Sequence, residues 1–277
     1  TLTLENMLYG LLLPSGNDAA VAIAEHIGGT EETFVQMMNQ KALELGALNT
    51  HFTNPHGLDD YKHYTTAKDL AVIAKYAWQH TKFRKIVQTK TKEIKDGDYT
   101  RQIFSTNRLL WQFDGADGIK TGCTGNAGKC LVATAYRNGF RLISIVLGSL
   151  DHFEDSQKIL DYGFNNYRLT PIIEKNNHYT TIDVENGVFK KVNLITKDSI
   201  ILPVNENDNI SFELIVPKKI KAPVFKGEQI GQLQIYINND LVSSTYLVVA
   251  SEVRLKKYHD ILNKILRFWI KREINYQ

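Results

Sequence analysis

The sequence predicts an α+β protein: a helical region packed on an antiparallel sheet, then a small all-β domain and a C-terminal amphipathic helix. Three observations predict it. Up to about residue 90, apolar positions recur at helical spacing between capping residues and glycines. From Lys90 the pattern changes to short strands, and beyond Thr170-Pro171 strands alternate with no long helix between them. A chain of 277 residues, 43% apolar and 23% charged, has room for one large domain and one small one. The expected divisions are 1–169, a β-sandwich-like segment at 170–251, and a basic helix at 252–277.

Each element has a local reason. Thr3 is placed to cap a helix running to about Leu13, which Pro14 and Gly16 stop. A second helix, Asp18 to Ile27, ends at Gly28-Gly29. Thr30 with Glu31 and Glu32 opens a third, whose apolar positions Phe34, Met37, Met38 and Leu45 keep helical spacing until Gly46. Thr66 and Asp69 form a capping pattern ahead of Leu70, Ile73 and Ala77. Strands are expected around Thr91 and Tyr99, then at 118–123, 129–136 and 140–147, the last two joined by an Asn138-Gly139 turn. A helix from about Phe153 to Tyr167 closes the region. In the β-rich part, strands are expected at 179–184, 188–195, 210–216, 232–237 and 241–249, with Asn186-Gly187 and Asn238-Asn239 as turn signals.

Composition narrows the function. A net charge of +3 gives no basic field over the whole chain, so nucleic acid is not an expected partner. His51, His56 and His63 lack the spacing of a metal site, and no metal or organic cofactor is expected. Two cysteines, Cys123 and Cys130, are too few for a disulfide scaffold; a hairpin would bring them near one another, as a disulfide or as two free thiols. The chain enters a helical pattern directly at Thr1, which reads as a sequence from which an upstream segment was removed.

Three stretches carry chemistry. Ser15 and Asn17, in Pro14-Ser15-Gly16-Asn17-Asp18, project from a tight turn between two helices; either also suits a plain helix cap. Lys120-Thr121-Gly122, in a strand-like run continuing through Cys123 and Thr124, offers an ammonium, a hydroxyl and a glycine that lets a ligand backbone lie close. On such a strand a backbone N–H can face a developing oxyanion. Asn54-Pro55-His56-Gly57-Leu58 reads as a loop, with His56 structural.

Read together with Thr65-Thr66-Ala67-x-Asp69-Leu70 and Asn107-x-Leu109-Leu110, these stretches resemble the D-alanyl-D-alanine carboxypeptidase family in order and spacing, over roughly residues 1–167. The resemblance implies a β-lactamase/transpeptidase-like fold and a serine hydrolase that removes the terminal D-alanine from peptidoglycan pentapeptides through an acyl-enzyme, and that β-lactams acylate. It assigns proton relay to Ser15, substrate-backbone binding to Asn17, and carboxylate recognition and the cleft wall to Lys120, Thr121 and Gly122, with Cys123 and Thr124 continuing that wall. The Ser15 turn and the Lys120 strand are then expected to face each other across one groove. Two departures stand out. None of the serines has lysine three places on, so the family's nucleophilic Ser-x-x-Lys element is missing. His152 stands where related sequences often carry an arginine that helps hold the substrate carboxylate, which makes that binding pH-sensitive or shifts it to Lys120 and Thr121. The alternatives are a D,D-endopeptidase on the same scaffold, or a peptidoglycan-binding or membrane-scaffolding protein without catalysis.

The last segment has its own pattern. Residues 252–277 hold seven basic and three acidic residues, and Tyr258, Ile261, Leu262, Ile265, Leu266 and Trp269 form one helical stripe. That suits a helix lying in an anionic membrane surface, and hence an extracytoplasmic protein on the outer face of the cytoplasmic membrane. A terminal helix packed on protein is the other reading.

Overall fold

The computed structural model describes residues 2–97 and 99–260, together with Leu262. These form two compact units that divide between Asn166 and Tyr167, three residues ahead of the expected boundary.

The first unit begins with α1 (Leu4–Leu12), α2 (Asn17–Gly28), α3 (Glu31–Glu44), α4 (Ala67–Trp78) and α5 (Thr81–Val87). Thr3, Thr30 and Thr66 each accept a backbone N–H at the start of α1, α3 and α4, as their sequence positions require. The hairpin of β1 (Thr91–Asp96) and β2 (Tyr99–Phe104) supplies Ile94 and Ile103, which bury against Tyr9 and Leu13 at the end of α1 and Ile86 of α5. A short α6 (Leu109–Gln112) leads into a three-stranded antiparallel sheet of β3 (Ala116–Thr124), β4 (Gly128–Arg137) and β5 (Phe140–Ser149), with α7 (His152–Asn166) closing the unit.

This sheet is covered on both faces because β4 alternates. Leu131, Ala133 and Ala135 point to one side, where Leu160, Phe153 and Phe164 of α7 meet them. Val132 points to the other, where it joins Ile143, Ile119, and the Ala74, Trp78 and Val87 of α4 and α5. Asn138 and Gly139 both take positive φ, 51° and 84°, giving the tight turn that their identities predict between β4 and β5.

The second unit is all β: β6 (Tyr167–Ile173), β7 (His178–Glu185), β8 (Lys191–Thr196), β9 (Ile200–Asn205), β10 (Ile210–Ile215), β11 (Lys219–Lys221), β12 (Gln229–Ile237) and β13 (Asp240–Val249). Six strands order as β10-β12-β13-β8-β7-β11, and β6 pairs with β9 as a separate ribbon. Ile173, Ile200 and Leu202 of the ribbon pack on the core of the larger sheet, around Leu194, Leu233, Ile235, Leu247 and Val249. Each such buried side chain contributes about 1.5–3 kcal/mol.

Residues 258–260 and Leu262 are helical. Arg254 grips Asp260 through both terminal nitrogens, at 2.6 and 2.8 Å. Ile261, Ile265, Leu266 and Trp269 of the expected stripe, with Lys264, Arg267 and Lys271, lie outside the described residues. Among the described residues no helix is long and apolar enough to cross a membrane.

Candidate active site

The turn between α1 and α2 is fixed by backbone geometry. Leu13 N–H bonds the Tyr9 carbonyl, and Gly16 N–H bonds the Gly10 carbonyl at 3.0 Å. Gly16, not Ser15 or Asn17, is the N-cap of α2, and no side chain caps that helix. Ser15 takes φ 65°, and its hydroxyl makes no cap to the helix. That hydroxyl accepts a hydrogen bond from Lys120 Nζ at 2.7 Å, 105 positions along the chain.

Lys120 lies on β3, an edge of its sheet. Its ammonium also reaches the Thr121 carbonyl, at 2.6 Å. Burial lowers its pKa to about 8, because desolvation disfavours the charged form. At the start of the same strand, Arg141 binds both carboxylate oxygens of Asp117 at 2.6–2.7 Å, and Thr134 donates to that carboxylate at 2.8 Å. Asp117 therefore anchors the strand.

The segment before α6 joins these pieces. Thr106 N–H bonds the Leu13 carbonyl, and the Thr106 and Thr121 hydroxyls share a 2.6 Å hydrogen bond. The buried Asn107 donates to the Gly118 carbonyl at 2.9 Å and accepts from Leu109 N–H. One short segment thus fixes the Ser15 turn against β3.

The result is a groove of about 920 Å³. Ser15, Asn17, Lys120, Thr121, Gly122, Cys123, Thr124 and His152 all line it. So do Thr106, Arg108 and Phe153, which sequence reasoning did not single out, although Asn107-x-Leu109-Leu110 marked their neighbourhood. The 54–58 loop forms a further wall: the Asn54 side chain binds Gly57 N–H and the Leu58 carbonyl, and Gly57 takes φ 81°. Asp59 then accepts Asn126 N–H at 3.2 Å, tying this loop to the β3–β4 turn.

His152 opens α7 with Nδ1 buried and without a hydrogen-bond partner. Burial, helped by Lys129 and Arg108 and opposed by Asp151, lowers its pKa and so favours the neutral ring. Cys130 pairs with Gly122, and Cys123 with Lys129, so the two cysteines project from opposite faces of the hairpin and are free thiols.

Fold and groove together define a low-molecular-mass penicillin-binding protein. Residues 1–150 match the D-alanyl-D-alanine carboxypeptidase family, and residues 167–254 match the penicillin-binding protein 5 C-terminal domain. The chain belongs to the D-alanyl-D-alanine carboxypeptidase family. It is 33% identical to D-alanyl-D-alanine carboxypeptidase DacF of Bacillus subtilis over 98% of this chain and 71% of that one. With DacC of Escherichia coli the identity is 34%, over 88% of this chain and 62% of the relative. The crystal structure of penicillin-binding protein 5 from Haemophilus influenzae superposes with a TM-score of 0.73 at 30% identity, covering 90% of this chain and 74% of that one.

Proposed function

We propose that the full-length protein is a serine D,D-carboxypeptidase that removes the terminal D-alanine from peptidoglycan pentapeptides. The observation that carries this reading is the 2.7 Å contact between Lys120 and Ser15 across the groove. A peptide lying along edge strand β3 takes main-chain hydrogen bonds from it, with Asn17 holding its backbone from the other side. The nucleophile is a serine of a Ser-x-x-Lys element outside these 277 residues. Its Oγ attacks the carbonyl carbon of the penultimate D-alanine; a C–O bond forms and the C–N bond to the last D-alanine breaks. The serine proton passes by way of Ser15 to the leaving amine. Water then hydrolyses the ester and restores the hydroxyl. Lys120 supports the developing negative charge as long as it is protonated.

β-Lactams acylate the same serine and stall at the ester. In this reading the protein works on the outer face of the cytoplasmic membrane, held to anionic lipid by the basic segment at 252–277. The full-length protein is expected to release D-alanine from a pentapeptide ending in D-Ala-D-Ala and to take a fluorescent penicillin label, and the 277-residue chain to do neither. Covalent labelling of the 277-residue chain would defeat the assignment of the nucleophile. The absence of any serine with lysine at the third following position keeps a second reading, a peptidoglycan-binding protein without catalysis. A full-length protein that binds the pentapeptide and releases nothing would establish it.

A further inference from the structure

A substrate ending in a carboxylate needs a permanent cation where that carboxylate leaves water. The groove offers few. Lys120 is committed: its ammonium serves Ser15 and the Thr121 carbonyl, and burial brings its pKa down to about 8. His152 sits in place with a buried, unpartnered Nδ1, and burial favours its neutral form. His56 faces Glu31, with Nε2 3.7 Å from Oε1.

Arg108 is different. It lines the same groove, and its guanidinium carbon lies 5.7 Å from the centre of the Phe153 ring, next to His152. Among the described residues it has no hydrogen bond or ion pair to an acid, whereas Arg137, Arg141 and Arg254 each hold an aspartate. Its backbone is fixed by its neighbour Asn107, which is bonded to Gly118 of β3. A guanidinium stays protonated throughout the working pH range and presents paired N–H donors that match a carboxylate.

We infer that Arg108, steadied on the Phe153 ring, receives the terminal carboxylate of the peptide, taking over from another element of the fold the cationic role that His152 does not fill. This rests on the carboxypeptidase reading for its substrate class. The test is a binding titration of the 277-residue chain, followed by NMR, with N-acetyl-D-alanyl-D-alanine and with its C-terminal carboxamide. The wild-type chain is expected to favour the free acid by about 10- to 100-fold, the range for a hydrogen bond between charged groups. Arg108→Met should erase that preference while leaving carboxamide binding unchanged, and Arg108→Lys should restore part of it. Circular dichroism checks that the variants fold. Equal or absent binding of the two peptides by the wild type overturns the inference, and so does a preference that survives Arg108→Met or is lost in His152→Asn alone. D-Alanine release by the full-length protein is scored separately. A preference that depends on Arg108 without release would sink the hydrolase reading and leave this site standing.

Discussion

At φ 65° Ser15 occupies left-handed backbone, which costs a residue with a Cβ about 1–2 kcal/mol and costs glycine almost nothing. That strain sits where the hydroxyl meets Lys120, the pattern expected of a functional constraint. Ser15→Gly should therefore fold with an unchanged or higher melting temperature and yet acylate about 100-fold more slowly in the full-length protein. A large fall in both would place Ser15 in the structure and not in the chemistry. Lys120 adds a pH signature. Its folded pKa, about 8, lies below its unfolded value, so the native state loses this proton first as pH rises. Burying the ammonium costs stability below pH 8, and that cost fades from about 8 towards the ordinary lysine value near 10.4. Denaturant melts of wild type and Lys120→Met should show a stability gap that narrows across this window. Over the same window kcat/KM should fall, and Lys120→Ala should impair acylation outright; unchanged acylation kinetics would refute its role.

The unit that assembles the groove is the short run Ser105–Asn107 with α6. Asn107 is buried, and both halves of its amide are used, one on Gly118 of β3 and one on the first turn of α6. Asn107→Ala leaves a buried carbonyl and a buried N–H unpaired, at a cost of about 2–3 kcal/mol. Urea denaturation should show that loss. Because Thr106 and Arg108 flank this anchor, peptide binding should weaken even where the variant remains folded. Elements with a local signal were legible in the sequence: the threonine-capped helices, and the Asn138-Gly139 and Asn238-Asn239 turns, each with both residues at positive φ. Others were not. In α5, seven residues long, no side chain caps the N-terminus, so nothing local announces it. Strands β6 and β9 carry Pro171 and Pro203, which read as breakers; they pair as a ribbon of only two, in which each strand has an edge, the place where a strand tolerates proline. For the same reason Thr170-Pro171 reads in the sequence as a boundary, whereas the two compact units divide before Tyr167.

Over the whole molecule, two units with separate cores should unfold as two cooperative transitions. Leu233, fully buried in the β unit, is the probe: Leu233→Ala should lower one transition by about 2–5 kcal/mol and leave the other in place. Calorimetry of the intact chain reads both, and a shift of both transitions together would show that the units unfold as one. The basic terminus belongs to this scale as well. Removing residues 256–277 should abolish binding to vesicles containing phosphatidylserine, and retained binding would count against a membrane-surface role for that segment.

The sequence by itself singled out Ser15, Asn17 and Lys120-Thr121-Gly122 as candidates, because their short motifs resemble the family in order and spacing, and the structure places them on one groove. It also determined most element types, since a capped helix and an Asn-Gly turn are decided within a few residues. Only the tertiary structure decided that Lys120 reaches Ser15, that Arg108 enters the groove beside His152, and that Cys123 and Cys130 face apart. Those facts depend on register and on packing between segments far apart in the chain, and no local pattern encodes them.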